Sequence, residues 1–554
     1  MLATIDIVIL VLSLVVVAVV SMLASRGERS REDYFLAGRN LKWWLIGFSL
    51  IASNISTEHF VGTTGKAAAN GIAVAGYEWV AAIALVFVAW WILPVMLRAG
   101  IYTMPEFLEY RFDRTTRSIM AGLMVVFFVL TVLATVLFAG STFLSSVLDL
   151  PGYLQRAHGM EPKAAETLAF HLGVWSIGIA AGVYTVFGGL KAVVWSDLIQ
   201  GAGLLLGGAV VAVMALYALG DGQGPIAGWN GFMQAQGEKM HLIRPWDDPD
   251  LPGPALLTGI WIPVIFYWGL NQFITQRTLA AGSLAEGQKG ILFAAGIKLV
   301  LPLMIVIPGM MAVQILGDKL DPAQMDRAYP MLLKEMLPAG ALGLMIAAVA
   351  GSIMSTFNSG LNSASTVFTL DLWSAYVKPD MTEAQSVRCG RWVTAILAIA
   401  ACLWTPTIQS FKGVFDYIQE MWGFVSAPTA AVFFAGLLLR RVPAGAAKTA
   451  FIVGPLFYLA SRCPSWIWDK EEAALAGGFV EGLWKYSSLA FLYHMFILFV
   501  LLVTMMGIWG RLRPLQTPAI LPDRAVIDMK PWRGVKPAGF VVIAITAMIY
   551  LILR

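Results

Sequence analysis

The stretch FSLIASNISTEHF, residues 48–60, sets seven polar side chains (Ser49, Ser53, Asn54, Ser56, Thr57, Glu58 and His59) into an otherwise apolar run. A helix crossing about 30 Å of hydrocarbon needs roughly 20 predominantly apolar residues. A span broken in this way frees backbone N–H and C=O groups that lipid cannot satisfy, so the break has to line a cavity within protein. Working outward, the span near 255–275 carries Pro263, Gly269, Asn271 and Gln272 in its middle, five spans further along the chain. Polar breaks in corresponding spans point to an inverted-repeat transporter core with its site at the breaks. The two halves share no visible sequence identity, so the repeat rests on this spacing.

The rest of the chain has the composition of a membrane protein. Of its 554 residues, 58% are hydrophobic and 13% charged, where a soluble domain carries about a quarter charged residues. Apolar runs predict about fourteen spans, beginning with 4–24, 43–65 and 72–97 and ending with 484–508 and 537–553. The first contains Asp6 and has nothing basic before it, so it reads as a retained span and not a signal peptide. Basic residues gather in four loops: Arg26, Arg29, Arg31, Arg39 and Lys42; Arg98, Arg111, Arg114 and Arg117; Arg440, Arg441 and Lys448; and Arg511, Arg513, Arg524, Lys530, Arg533 and Lys536. A count of fourteen puts these loops on one side, which makes that side cytoplasmic and both termini external. The external loops hold no Asn-x-Ser/Thr sequon, in keeping with a bacterial inner membrane.

The net charge of +4 resides in those loops and reports orientation, not nucleic-acid binding. Cys389, Cys402 and Cys463 are too scattered for a disulfide framework, and the five histidines lack metal-ligand spacing. The loops Gly220–Gly253 and Arg462–Trp484 are too short for an enzymatic domain. A membrane-embedded enzyme would need a metal motif or a nucleophile–base pair, and neither is visible. A sensor built on such a core would append a signalling module, and none is seen before Arg554.

Ionisable side chains within spans are costly and mark sites by default. Glu58, His59, Glu78, Asp197, Lys298 and Asp371 qualify, joined by the amide of Gln419. Helix-end charges snorkel, which is the plain reading of Asp371, Asp416 and Glu420. Glu78 and Lys298 lie deeper and pair as a structural ion pair, or else converge with imidazole and amide on a polyhydroxylated ligand, which needs donors and acceptors together. Tyr267 and Trp268, on the second interrupted span, offer faces for a sugar ring. In the ninth span Ser352, Ser355, Thr356 and Ser359 recur on one helical face. Such hydroxyls commonly bond within or between helices; as hard oxygen ligands without a carboxylate they also suit sodium better than a proton.

At this point the motifs resemble the sodium/solute symporter family, within it the sodium–glucose/galactose cotransporter branch. The matching strings include DYFLAGRNLKWWLIGFSLIASNIS (33–56), EHFVG (58–62), GYEW (76–79), GIYTMPEFLEYRF (100–112), YTVFGGLKAVVWSDLIQ (184–200), YWGLNQFITQRTLAA (267–281), LNSASTVFTLDL (361–372) and FDYIQEMWGFVSAP (415–428). The likeness runs from about 33 to 440. It implies an all-α membrane protein with a leucine-transporter-type core of two inverted five-helix repeats, 43–219 and 254–440. Peripheral helices fill 1–42 and 441–554, and access alternates around a midplane site.

Carried over by position, the resemblance puts sugar contacts at Asn54, His59, Glu78, Lys298 and Gln419, with Trp268 beside the ring. Tyr267 falls on the inner gate and Phe415 on a hydrophobic gate. Sodium falls on the carbonyls of Ala52, Ile55 and Ser352 and the hydroxyls of Ser355 and Thr356. A second sodium site corresponds to Asp197, Ser355, Asn358 and Ser359, with Asn358 replacing a threonine. His59 stands where relatives carry His or Gln, and Val264 and Ala81 stand where some carry polar side chains near the sugar. The implied activity is sodium-coupled symport of a hexose-type sugar, with another polyol or a non-sugar solute as the rival reading.

Overall fold

The computed structural model describes residues 3–24, 36–187, 190–248, 251–411 and 413–554, and the regular elements among them are all helices. Among the described residues no strand forms, only isolated bridges between loops. Arg26, Arg29 and Arg31 of the first basic loop, positions 33–35 of the first family string and Gly188–Gly189 of another lie outside the described residues.

Among the described residues twelve helices, from Ile72–Ala99 to Val535–Ile552, are long and apolar enough to cross a membrane. Each matches one of the fourteen expected spans. Of the other two, the first forms the helix Thr4–Ala24. The second is divided by its polar break into shorter helices, Trp43–Asn54 and Thr64–Asn70, neither of spanning length alone, so the expectation of about fourteen spans is close to the observed set. Leu206, Trp392, Ile396, Leu403 and Leu551 stand exposed on outward faces, an apolar surface that suits lipid and not water.

Ten helices frame the site: α1 Thr4–Ala24, α2 Trp43–Asn54, α3 Thr64–Asn70, α4 Gly76–Phe87, α5 Leu190–Leu219, α6 Trp261–Ile265, α7 Gln272–Leu279, α8 Leu284–Leu316, α9 Ala341–Val367 and α10 Val414–Leu438. α2 stops at Asn54, and Ile55 leaves helical geometry at φ −77°, ψ 89°. A π-helical turn, His59–Thr63, then leads into α3. α6 likewise runs through a π-helical turn, Phe266–Leu270, to Asn271 in extended geometry. The Asn271 side chain accepts the Phe273 N–H at 3.1 Å and so caps α7. Single π turns inside helices recur at functional sites, and here one follows the first break and one precedes the second.

Small residues let the helices around these breaks approach closely. A Cβ on Gly201 of α5 would meet Ala52 of α2 at 2.7 Å, and one on Gly351 of α9 would meet Gln200 of α5 at 2.7 Å. α5 is thereby wedged between α2 and α9, and Asp197, fully buried, points into that contact.

The basic loops touch one another on one face. Arg39 Nη2 donates to the carbonyls of Gly100 and Ile101, the Arg524 N–H to Arg98 at 2.8 Å, and the Leu515 N–H to Arg441 at 2.9 Å. α8 starts at this face, where the Leu284 N–H bonds Asp528 at 2.9 Å, and crosses to the other. There both ends of the chain are tied. The Leu242 N–H bonds the Leu553 carbonyl at 2.8 Å, and the Asp6 carboxylate accepts the N–H groups of Gly340 and Gly343 at 2.7 and 2.8 Å.

Asp371 does not snorkel. It is fully buried, held by Arg117 and by Thr103 Oγ1 at 2.9 Å, because the helix carrying Arg117 packs against it. Glu420 is likewise drawn inward by Arg462. Asp416 stays partly exposed and meets Lys66 at 3.0 Å.

Candidate binding site

The two breaks face each other across a cavity of about 110 Å³. Asn54, at the end of α2, donates from Nδ2 to Tyr267 Oη at 3.2 Å. The Asn54 carbonyl oxygen accepts from the Lys298 ammonium of α8, which also pairs with Glu78 of α4. Glu78 is held on its other oxygen by His59 Nε2 at 3.3 Å. Lys298 lies 5.0 Å from the Trp268 ring centroid, close enough for a cation–π contact. The Glu78–Lys298 couple is thus an ion pair that also forms part of the cavity wall.

Gln419 of α10 reaches the same cavity, and among the described residues its amide has no hydrogen-bond partner. His59 keeps Nδ1 buried and unpaired. Buried polar groups are ordinarily hydrogen-bonded, so these two are free to bond a solute in the cavity. Val264 and Ala81 add apolar lining.

Aromatic pairs flank the cavity at both ends. Toward the basic face, Tyr267 stacks on Trp422 with centroids 5.0 Å apart and an interplanar angle of 19°. Toward the terminal face, Phe415 meets Tyr77 edge-on at 5.8 Å. Beyond Phe415 the Lys66–Asp416 pair bridges α3 and α10. Glu58, one of the in-span ionisable residues marked in the sequence, lines the cavity too, whereas Trp422 and Tyr77 line it and were not among the expected contacts. Spacing offered a signal for Trp422, three residues beyond Gln419 and on the same helical face.

Beside the cavity, the break in α2 frees the carbonyls of Ala52 and Ile55 next to α9. Thr356 Oγ1 is buried without a hydrogen-bond partner. The Ser352 hydroxyl donates back to the Val349 carbonyl at 3.0 Å. The Ser355 hydroxyl is turned to Asp197, so a carboxylate does reach this cluster, contrary to the carboxylate-free set read from the sequence.

The residues expected at a second sodium site meet around a guanidinium. Arg277 Nη2 lies 3.3 Å from Asp197 Oδ2 and donates to Ser359, while Arg277 Nε donates to Ser49 at 2.8 Å. Asp197 also accepts from Ser49, from Ser53 at 3.3 Å, and from Ser355. Asn358 is turned away, its carbonyl oxygen accepting from Thr185.

Similar proteins agree with this architecture. The sodium/glucose cotransporter of Vibrio parahaemolyticus is 37% identical over 79% of this chain and 82% of its own length. The symporter YidK of Escherichia coli (strain K12) is 36% identical over 92% of this chain and 84% of its own. The sodium/myo-inositol cotransporter 2 of Mus musculus is 33% identical over 82% and 69%. A Na+-coupled sialic acid symporter, solved in a substrate-bound outward-open state, shares the fold at a TM-score of 0.72. It covers 94% of this chain and 99% of its own at 22% identity. The fold is thus an all-α, leucine-transporter-type membrane fold. Residues 34–454 match the sodium:solute symporter family model, and the chain belongs to that family, a multi-pass membrane symporter whose coupling ion is sodium.

Proposed function

We propose that this symporter carries a neutral hexose-type sugar by alternating access around the cavity at the two breaks. The observation that carries the reading is the convergence of Asn54, His59, Glu78, Lys298 and Gln419 with Tyr267 and Trp268 on one cavity. Together they supply ammonium, imidazole, amide and carboxylate beside aromatic faces, the combination a ring with hydroxyls on its rim requires. The name of the Vibrio relative supports a sugar. A cyclic polyol such as inositol is the second reading, supported by the name of the murine relative.

Sodium binds between Ala52, Ile55, Ser352, Ser355 and Thr356, bridging the two repeats 43–219 and 254–440. Ordering the break at Ala52–Ile55 also fixes Asn54 and His59, so each ligand pre-organises the site of the other. Coupling of this kind is reciprocal and typically worth about 1–3 kcal/mol. One sodium moves per cycle, because Arg277 already supplies the positive charge beside Asp197. Tyr267 gates the side of the basic loops and Phe415 the opposite side. The contacts among the basic loops support a cytoplasmic placement of that face in a bacterial inner membrane, with both termini outside.

The test is uptake of labelled galactose, glucose and inositol into proteoliposomes under a sodium or a potassium gradient. Sodium-dependent accumulation of a hexose is the expected result. Accumulation of inositol alone moves the assignment to the second reading, and failure of all three ends the polyol assignment.

A further inference from the structure

Glu58 lies on the segment that joins the break in α2 to its π-helical turn, and its side chain lines the cavity beside Asn54 and His59. Its carboxylate accepts from the Thr135 hydroxyl. Among the described residues no cation pairs with it. The cations nearby are committed elsewhere: Lys298 to Glu78 and Asn54, Arg277 to Asp197, and Lys66 to Asp416. His59 is turned to Glu78. With both carboxyl groups ionised, the cavity wall thus sets Glu58 and Glu78 against the single ammonium of Lys298, one formal negative charge in excess.

Low-dielectric walls focus such a field onto whatever enters. A sugar hydroxyl donates to a carboxylate and is welcome there. A carboxylated solute brings a like charge to the same oxygen, and at about 6 Å in an effective dielectric near 20 the repulsion is worth roughly a hundredfold in affinity. We propose that Glu58 is a specificity-determining residue that admits neutral hydroxylated solutes and excludes their carboxylated counterparts.

This selectivity rests on the sugar reading above. The experiment measures inhibition of sodium-driven galactose uptake by galactose and by galacturonate in wild type, Glu58→Gln and Glu58→Asp. In wild type, galacturonate is expected to compete roughly a hundredfold more weakly than galactose. Glu58→Gln keeps an oxygen for Thr135 but loses the charge, and narrows that ratio at least about tenfold; Glu58→Asp restores it. An unchanged ratio in Glu58→Gln overturns the proposal, as does equal competition in wild type. Where wild type takes up no galactose, the same ratio is read from thermal shifts in sodium with galactose and galacturonate and with glycerol and glycerate. Binding with an unaltered ratio sinks the proposal alone, and no binding of either neutral solute sinks the sugar reading and the proposal together.

Discussion

Lys298 and Glu78, on α8 and α4, form a buried ion pair that is also cavity wall: the ammonium touches the carboxylate, the Asn54 amide and the face of Trp268. Removing one partner of such a pair strands the other charge, at a cost of about 3–5 kcal/mol, while replacing both is much milder. Lys298→Met alone is therefore expected to lower the melting temperature of the purified protein. Glu78→Gln combined with Lys298→Met recovers most of the loss, and neither variant transports. A single variant as stable as wild type would show that the pair contributes nothing to the fold.

Gln419 behaves in the opposite way. Its amide bonds no protein group among the described residues, so truncation strands no partner. Gln419→Ala is expected to keep the wild-type melting temperature within a degree or two and to cut uptake at least about tenfold, the worth of one or two hydrogen bonds to a solute. Near-normal uptake in this variant would remove Gln419 from the site.

For sodium, the unpartnered Thr356 hydroxyl and the guanidinium beside Asp197 make separate demands. Thr356→Ala is expected to raise the sodium concentration for half-maximal uptake by about tenfold, the loss of one oxygen ligand. The order of preference among solutes should not move. Sodium activation of the wild type should be hyperbolic, since Arg277 fills the second cation position. A sigmoid curve with a Hill coefficient near two would count against the single-sodium stoichiometry.

The membrane setting explains what could be read in advance. Against an apolar background Asn54, His59, Glu78, Lys298 and Gln419 stand out one by one, because lipid tolerates polar groups only where protein satisfies them. Trp422 and Tyr77 carry no such contrast, since aromatics are ordinary in spans. Asp371 was misread for a different reason: its partner Arg117 lies 254 residues away, and local periodicity says nothing about which helix crosses it. Asp6 was conspicuous but unassigned. It satisfies backbone N–H groups at the start of α9, the helix of Ser352 and Thr356, 334 and 337 residues further on. The break in α2 was legible from Ser56, Thr57 and Glu58, whereas the commitment of Arg277 to Asp197 depends on three helices meeting.

Asp326 supplies a pH dependence outside the spans. It lies in the loop before Ala328–Met336, on the terminal face, against Gly65 of α3 and Gly413 just ahead of α10. Burial pushes its carboxyl up from 3.8 to about 6; the charge of Asp416 adds to this, while the Val414 N–H and Lys66 oppose it. A carboxyl whose pKa is higher folded than unfolded binds more protons in the folded state between those values, so its protonation stabilises the fold as pH falls. The melting temperature is therefore expected to rise as pH is lowered from 7 toward 5. Asp326→Asn, which keeps an acceptor for the Val414 N–H without the charge, should be more stable than wild type at pH 7 and lose that rise. The measurement is a set of melting curves at fixed ionic strength. A rise that survives in Asp326→Asn would place the titrating group elsewhere.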